Sequence, residues 1–338
     1  MFNEGVNGLA CNSNYENMHL SFSTLTDCTI KFQKRGIGDG VMYSTDLGRT
    51  WTLLANEEVL NIGKDVTISW KSTLEPKKDG ATNPENGIGS FITTGKFNVF
   101  GNIMSLLFGD DFVGKTDMTG FEYAFNHLFS DNVTNVGSDI VNSSNLILPA
   151  ETMSAFCYRC IFRGCASMVR VPEVPAMNLA NYCYASMFSG CTSLSYAPKL
   201  PATKMAPFCY TYMFFGNEKM KNAPELPALE LAESCYTYMF AFNPMTKSPE
   251  LKAKELAKLC YQGMFRYCNQ LSDITMLGTN IPSTLDSSHP LRAWLDPTPS
   301  PTGTFKKHKD QGALPVGVSG IPSGWKVLNA DDEGNIVE

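Results

Sequence analysis

In the first hundred positions apolar residues alternate with polar ones, as in His19-Leu20-Ser21-Phe22-Ser23, Thr29-Ile30-Lys31-Phe32 and Val66-Thr67-Ile68-Ser69-Trp70. A period of two puts every second side chain on one face, so these stretches predict half-buried strands, with turns at the glycine and asparagine clusters between them. From Ile147 the rhythm changes. Between Pro175 and Leu200, the residues Leu179, Ala180, Cys183, Met187, Phe188 and Cys191 recur at intervals of three and four, which predicts a buried stripe on a short helix. Gly190 suits the end of that helix, because glycine enters the left-handed region without a Cβ clash. The following Leu194-Ser195-Tyr196-Ala197-Pro198-Lys199-Leu200 is extended and interrupted by proline, predicting a brief parallel strand ending in a turn.

The same text returns five times between Ile147 and Leu277. Its anchors are Cys157-Tyr158, Cys183-Tyr184, Cys209-Tyr210, Cys235-Tyr236 and Cys260-Tyr261, in steps of 26, 26, 26 and 25 residues. Four positions past each tyrosine stands Phe162, Phe188, Phe214, Phe240 or Phe265, and Pro149, Pro175, Pro201 and Pro227 open the first four copies. A fixed period of this size marks units that bury their apolar faces only by stacking on one another. The expected fold is therefore an α/β solenoid, a leucine-rich-repeat-like array of 26-residue strand-helix repeats, preceded by a small all-β sandwich domain. The expected boundaries are 1–118 for the sandwich and 119–290 for the solenoid, with an N-terminal cap at about 120–146 and five repeats over 147–277. A C-terminal β cap takes 291–338. Ala124-Phe125-Asn126-His127-Leu128-Phe129 reads as a degraded helix in the N-terminal cap. The stretch from Gly95 to Leu107 reads as the joint between domains, too short and too punctuated to span a membrane.

Comparing copies within the chain separates packing from surface. The constant Cys-Tyr-x-x-Met-Phe positions are core. Arg170, Tyr196, Asn222, Lys247 and Asp273 fall at equivalent places on the predicted strand and differ in charge, size and polarity, so this column is the candidate ligand-binding surface. Glu173, Lys199, Glu225, Glu250 and Met276 form a second column nearer the turn. A merely solvated edge varies in the same way, so both readings stand.

Charge and chemistry narrow the function. A formal charge of -6 argues against a nucleic-acid partner, which needs a basic patch. His19, His127, His289 and His308 are scattered over separate elements, so they suggest neither a metal cluster nor a catalytic triad. Without a phosphate-binding glycine loop or a nucleophile elbow, the reading is a non-enzyme with no cofactor and no metal. The chain has eleven cysteines. At interhelical spacings of about 8 to 10 Å neighbouring anchors lie beyond disulfide reach of about 7 Å, so reduced, buried thiols are expected, including Cys157 and Cys160. Ser44-Thr45-Asp46-Leu47-Gly48-Arg49-Thr50-Trp51 matches the Asp-box of sialidase-like propellers once, predicting a turn in which Asp46 hydrogen-bonds nearby backbone and Trp51 packs beneath. Met1-Phe2-Asn3-Glu4-Gly5 lacks a basic start and an apolar core, so no signal peptide is expected there.

The repeated Leu-Pro-Ala-x-x-(Leu/Met)-Ala-x-x-Cys-Tyr-x-x-Met-Phe-x-Gly-Cys-x-Ser-Leu, best seen from Val174 to Leu194, resembles the BspA-like leucine-rich repeats of surface proteins of the Bacteroides group and its phages. Asn217 and Asn243 depart from the pattern at the second cysteine. The resemblance implies adhesion or receptor recognition through the repeat face, with a surface glycan or protein as partner. It leaves open a bacterial adhesin, a phage tail or fibre component, and a structural spacer. The implied location is extracellular, on a cell surface or a virion.

Overall fold

The computed structural model describes residues 15–35, 40–73, 87–131, 134, 136–297 and 299–337. The alternating stretches form β1 (Leu20–Thr24), β2 (Cys28–Lys34), β3 (Val41–Ser44), β4 (Thr52–Leu54), β5 (Val59–Ile62), β6 (Thr67–Ser72), β7 (Gly89–Thr94) and β8 (Phe97–Asn102). A short helix α1 (Ser105–Phe108) and β9 (Ile140–Ile147) follow. One sheet has the order β4-β3-β6-β1-β8-β9 and a second the order β5-β2-β7. They face each other as a sandwich, because the inward residues are large and apolar: Phe22 of β1 and Trp70 of β6 meet Phe91 of β7 at ring-centroid distances of 4.9 and 4.8 Å. β9 runs parallel to β8 and ends that sheet, and Asn142 of β9 forms an isolated bridge to Arg170 in the first repeat.

The repeats do not form the expected α/β solenoid of strand-helix units, and no leucine-rich-repeat array is built. Among the described residues α1, four residues long, is the helix present. The stretch expected to be helical is a run of overlapping β-turns. Ala185, Met187 and Ser189 donate their N–H groups to the carbonyls of Tyr182, Tyr184 and Ser186, three residues back, at 3.1, 3.2 and 3.2 Å. The alternate N–H groups of Tyr184, Ser186 and Phe188 leave the copy and reach the carbonyls of Cys209, Thr211 and Met213 at 3.1, 2.8 and 3.0 Å. A helix spends all of these donors within itself; here half of them tie one layer to the next.

Each turn closes on a residue with positive φ, every fourth along the chain: Tyr182 at 56°, Ser186 at 55° and Gly190 at 73°. Gly190 is thus one member of a series and ends no helix. Side chains follow the same rhythm, two in the core and two at the turn edge. Cys183-Tyr184 and Met187-Phe188 are in the core, while Ala185-Ser186 and Ser189-Gly190 form the turn edge, where Ser186 and Gly190 are half-buried and Ala185 and Ser189 are buried. A strict spacing of four stays close to the 3.6 of a helix over three turns, which is why the pattern read as helical. Left-handed backbone costs an L-residue roughly 1–2 kcal/mol, offset here by the interlayer hydrogen bonds and by packed rings.

Those rings run in two interior columns. Phe125, Tyr158, Tyr184, Tyr210, Tyr236 and Tyr261 stack at 5.5 to 6.0 Å. Phe129, Phe162, Phe188, Phe214, Phe240 and Phe265 do likewise over the same range. Ala124–Phe129 is therefore the first layer of turns, not a degraded helix. The phenylalanine column begins on Phe91 of the sandwich, 5.9 Å from Phe129, and ends on Trp294, 6.0 Å from Phe265. The predicted strand of each copy forms a ladder only at the far end. There β10 (Lys247–Leu251) and β11 (Asp273–Met276) join β12 (Thr304–His308), β13 (Lys326–Ala330) and β14 (Ile336–Val337) in one sheet.

The cysteines of the described residues are buried and free, but not for the reason of spacing: stacked anchors are one layer apart, not an interhelical distance. Burial instead holds the thiols protonated, lifting Cys183 and Cys235 to about 12. Cys191 and Cys268 donate to the carbonyls of Phe162 and Phe240 in the preceding layer, at 3.3 and 3.1 Å.

Candidate functional site

Ring stacking varies across the stack. At the turn edge Tyr123, Phe156, Tyr182 and Phe208 stack at 4.4, 4.7 and 4.5 Å with their planes within 7°. The interior columns open to 5.5–6.0 Å. On the opposite side Pro172, Pro198, Pro224 and Pro249 stand in extended segments and lack a donor. Grooves of about 460 and 310 Å³ separate the rungs there. The outer rings of the turn edge are the most closely stacked, and grooves part the rungs on the proline side until the last copies pair there as β10 and β11.

This edge is a wall built from two residues per turn, of which Tyr212, Phe242 and Tyr267 are exposed while Ala185, Ser189, Thr211 and Thr237 are buried. Its C-terminal half is aromatic. Tyr212, Phe242 and Tyr267 are 37%, 45% and 39% exposed. Tyr212 stacks on Tyr238 at 4.9 Å, Phe215 meets Phe242 at 5.0 Å, and Phe242 stacks on Tyr267 at 4.5 Å. Tyr238 lies against the backbone of Gly263, where a Cβ would collide with its ring. The Arg266 guanidinium sits 5.3 Å from the Tyr267 ring and pairs with Asp296 at 3.3 Å. The N-terminal half is basic: Arg159 and Arg163 occupy outward positions of one layer, and Arg159 lies 5.8 Å from the Phe156 ring.

The residues singled out from the sequence lie elsewhere. Arg170, Tyr196, Asn222 and Lys247 are exposed and Asp273 is half-buried, on the side of the stack that carries the prolines. Lys247 and Asp273 are register partners across β10 and β11, and Lys306 Nζ approaches Asp273 Oδ1 at 3.9 Å. In the second column Lys199, Glu225 and Glu250 line the grooves between rungs, while Met276 is buried. The wall itself was missed. Its signal was available, since Arg159, Ala185, Thr211, Thr237 and Gln262 vary from copy to copy as freely as the column chosen, as do Cys160, Ser186, Tyr212, Tyr238 and Gly263.

Two charged groupings serve the framework. Asp110 accepts from Lys71 Nζ at 2.6 Å and contacts His19 Nε2 at 2.9 Å, clamping the chain after α1 onto β1 and β6. The Lys71 hydrogen bond holds the Asp110 carboxyl below its ordinary range, and burial lowers His19. His308 Nε2 lies 3.2 Å from Asp332, which also pairs with Lys254 at 2.6 Å. The Asp-box stretch is the expected turn: Asp46 Oδ1 accepts from the Arg49 and Thr50 N–H groups at 3.1 and 2.9 Å, and half-buried Trp51 packs between His19 and Lys71. Hydrogen bonds from Ser44 and Thr50 keep the Asp46 carboxyl far below the usual carboxylate range. Among the described residues no group of three His, Cys, Asp or Glu is placed to hold a metal ion, and no helix is long and apolar enough to cross a membrane.

No family model matches the chain, and neither a curated protein nor a solved structure matches it.

Proposed function

We propose that the chain is a non-catalytic recognition module that binds a surface glycan or protein receptor through the turn wall. The observation that carries this reading is the contiguous strip of exposed rings formed by Tyr212, Phe242 and Tyr267 with Tyr238 and Phe215 beneath and beside them. Exposed aromatic residues gathered on a rigid scaffold are characteristic of contact surfaces, because each ring contributes large area at low entropic cost. The likeness of the repeated text to adhesion repeats of gut bacteria supports the same reading, with the module displayed on a cell or a virion.

The test is saturable binding of the purified chain to intact gut bacterial cells, with and without their surface polysaccharide. The triple variant Tyr212→Ala, Phe242→Ala, Tyr267→Ala is expected to lose binding, and Arg170→Ala, Tyr196→Ala, Asn222→Ala to retain it. The reverse result moves recognition to the proline side. Absence of binding by a chain shown to be folded leaves a spacer.

A further inference from the structure

The basic half of the wall is more than a pair of surface arginines. Arg159 and Arg163 lie one turn apart on the same layer, and the Arg163 side chain reaches the Cys160 thiol between them. A third guanidinium comes from the sandwich: Arg35 donates to the Asn126 carbonyl at 3.1 Å and to Ser90 Oγ at 2.6 Å. That carbonyl belongs to the residue before His127, whose own N–H donates to the Arg159 carbonyl at 3.1 Å. His127 is held neutral, its ring lowered to about 3 by burial and by Arg35, Arg159 and Arg163, with Asp131 acting the other way. Among the described residues neither Arg159 nor Arg163 forms an ion pair. Beside them, buried Asn126 Oδ1, His127 Nδ1 and Ser130 Oγ have no hydrogen-bond partner. An acidic chain of net charge -6 has thus placed two half-buried arginines one turn apart on one layer, with Arg35 bonded to the enclosed segment 126–130 behind them.

We propose that Arg159 and Arg163, backed by Arg35, form an anion subsite of the wall and take a carboxylate or sulfate of an acidic polysaccharide whose further residues pass over the ring strip. This rests on the wall being the binding surface. Guanidinium groups match planar oxyanions with paired hydrogen bonds. The exposed rings begin two layers on at Tyr212 and continue to Tyr267 four layers on, roughly 10 to 20 Å away at a spacing of about 4.8 Å per layer. The layer between them carries the half-buried Tyr182, stacked between Phe156 and Phe208 at 4.7 and 4.5 Å, with half-buried Ser186 and Gly190 beside it. A polymer of identical units suits a surface that repeats its backbone at every layer, and its anionic groups answer the charge at one end while its apolar ring faces answer the aromatics.

The experiment compares binding of the full chain to polygalacturonate, dextran sulfate, uncharged dextran and poly-glutamate. Binding to polygalacturonate or dextran sulfate, whichever supplies the matching anion, is expected to weaken as salt is raised. Arg159→Gln with Arg163→Gln should lower it about tenfold or more, while Arg159→Lys with Arg163→Lys should keep a salt-sensitive part. Four outcomes overturn the proposal: no binding to either charged polysaccharide, equal binding to dextran, binding to poly-glutamate as tight as to polygalacturonate, or no effect of the glutamine pair. If the glutamine pair leaves binding to cells intact and the ring variant abolishes it, the wall stands and the anion subsite falls. If both variants bind cells as the parent does, the wall itself is wrong.

Discussion

Along the turn edge, Tyr184, Ser186 and Phe188 each send a backbone N–H to the following copy, and the outer rings close to within 4.4–4.7 Å. Along the middle of the proline edge, Pro198 and Pro201 face Pro224 and Pro227 across a groove, and cross-linking returns there where β10 and β11 pair. The same residues in sequence thus produce a bonded side and an open side. Cohesion between copies comes from backbone donors and stacked rings, and prolines are tolerated where no donor is needed. The bonded side is also where a rigid display surface is found, since side chains there stand on backbone fixed in two directions.

Phe188→Ala should separate the two edges most sharply. It removes a fully buried ring from the middle of a column and is expected to cost about 3–5 kcal/mol, whereas Pro198→Ala on the open side should change stability by less than about 1 kcal/mol. Urea unfolding of both variants decides the matter, and equal losses would mean that the proline side holds the stack as firmly as the turn side.

A smaller effect distinguishes the first layer from the others. His127 occupies the column position held by Cys160 and Ser186 in later layers, and its folded value of about 3 lies below the ordinary 6.5. Between those values the unfolded chain binds the extra proton, so this contribution is complete above pH 6.5 and is lost as the pH falls toward 3. The difference in melting temperature between the parent and His127→Gln should therefore shift progressively from pH 7 to pH 4. A constant difference would show that His127 takes up its proton as readily in the folded chain as in the unfolded one.

The smallest expected change probes the turns alone. Ser186 sits at φ 55°. Ser186→Val should lose about 1–3 kcal/mol, because a branched Cβ strains the left-handed region, and Ser186→Gly should gain up to about 1 kcal/mol. If valine is as stable as glycine at this site, the turn geometry described for the wall is incorrect.

Much of this architecture was written in the residues. The strands β1, β2 and β6 follow from alternation, and the Ser44–Trp51 turn from the capacity of Asp46 to accept backbone N–H groups. The repeat itself is plain in Cys-Tyr-x-x-Met-Phe. What misled was the interval between Cys183, Met187 and Cys191, which a helix and a run of turns share. Gly164, Gly190 and Gly216 marked one left-handed column, yet Phe156, Tyr182 and Phe208 occupy another that residue type gives no reason to expect. Tertiary stacking decides those positions: a phenylalanine held between rings above and below gains enough to accept a backbone it would avoid alone. The wall was missed for the same reason: its positions vary from copy to copy, but they group into one edge only when the four-residue rhythm replaces the helical one.

The phenylalanine column that starts on Phe91 and stops on Trp294 makes the sandwich and the closing sheet two bookends around a shelf of variable length. Each copy meets its neighbours through one constant pattern of donors, carbonyls and rings, so duplicating or deleting a single 26-residue copy alters the number of shelves and leaves both ends untouched. Reach along a ligand then becomes a quantity that gene duplication adjusts in steps of one layer, while the outward pair on each turn is rewritten independently.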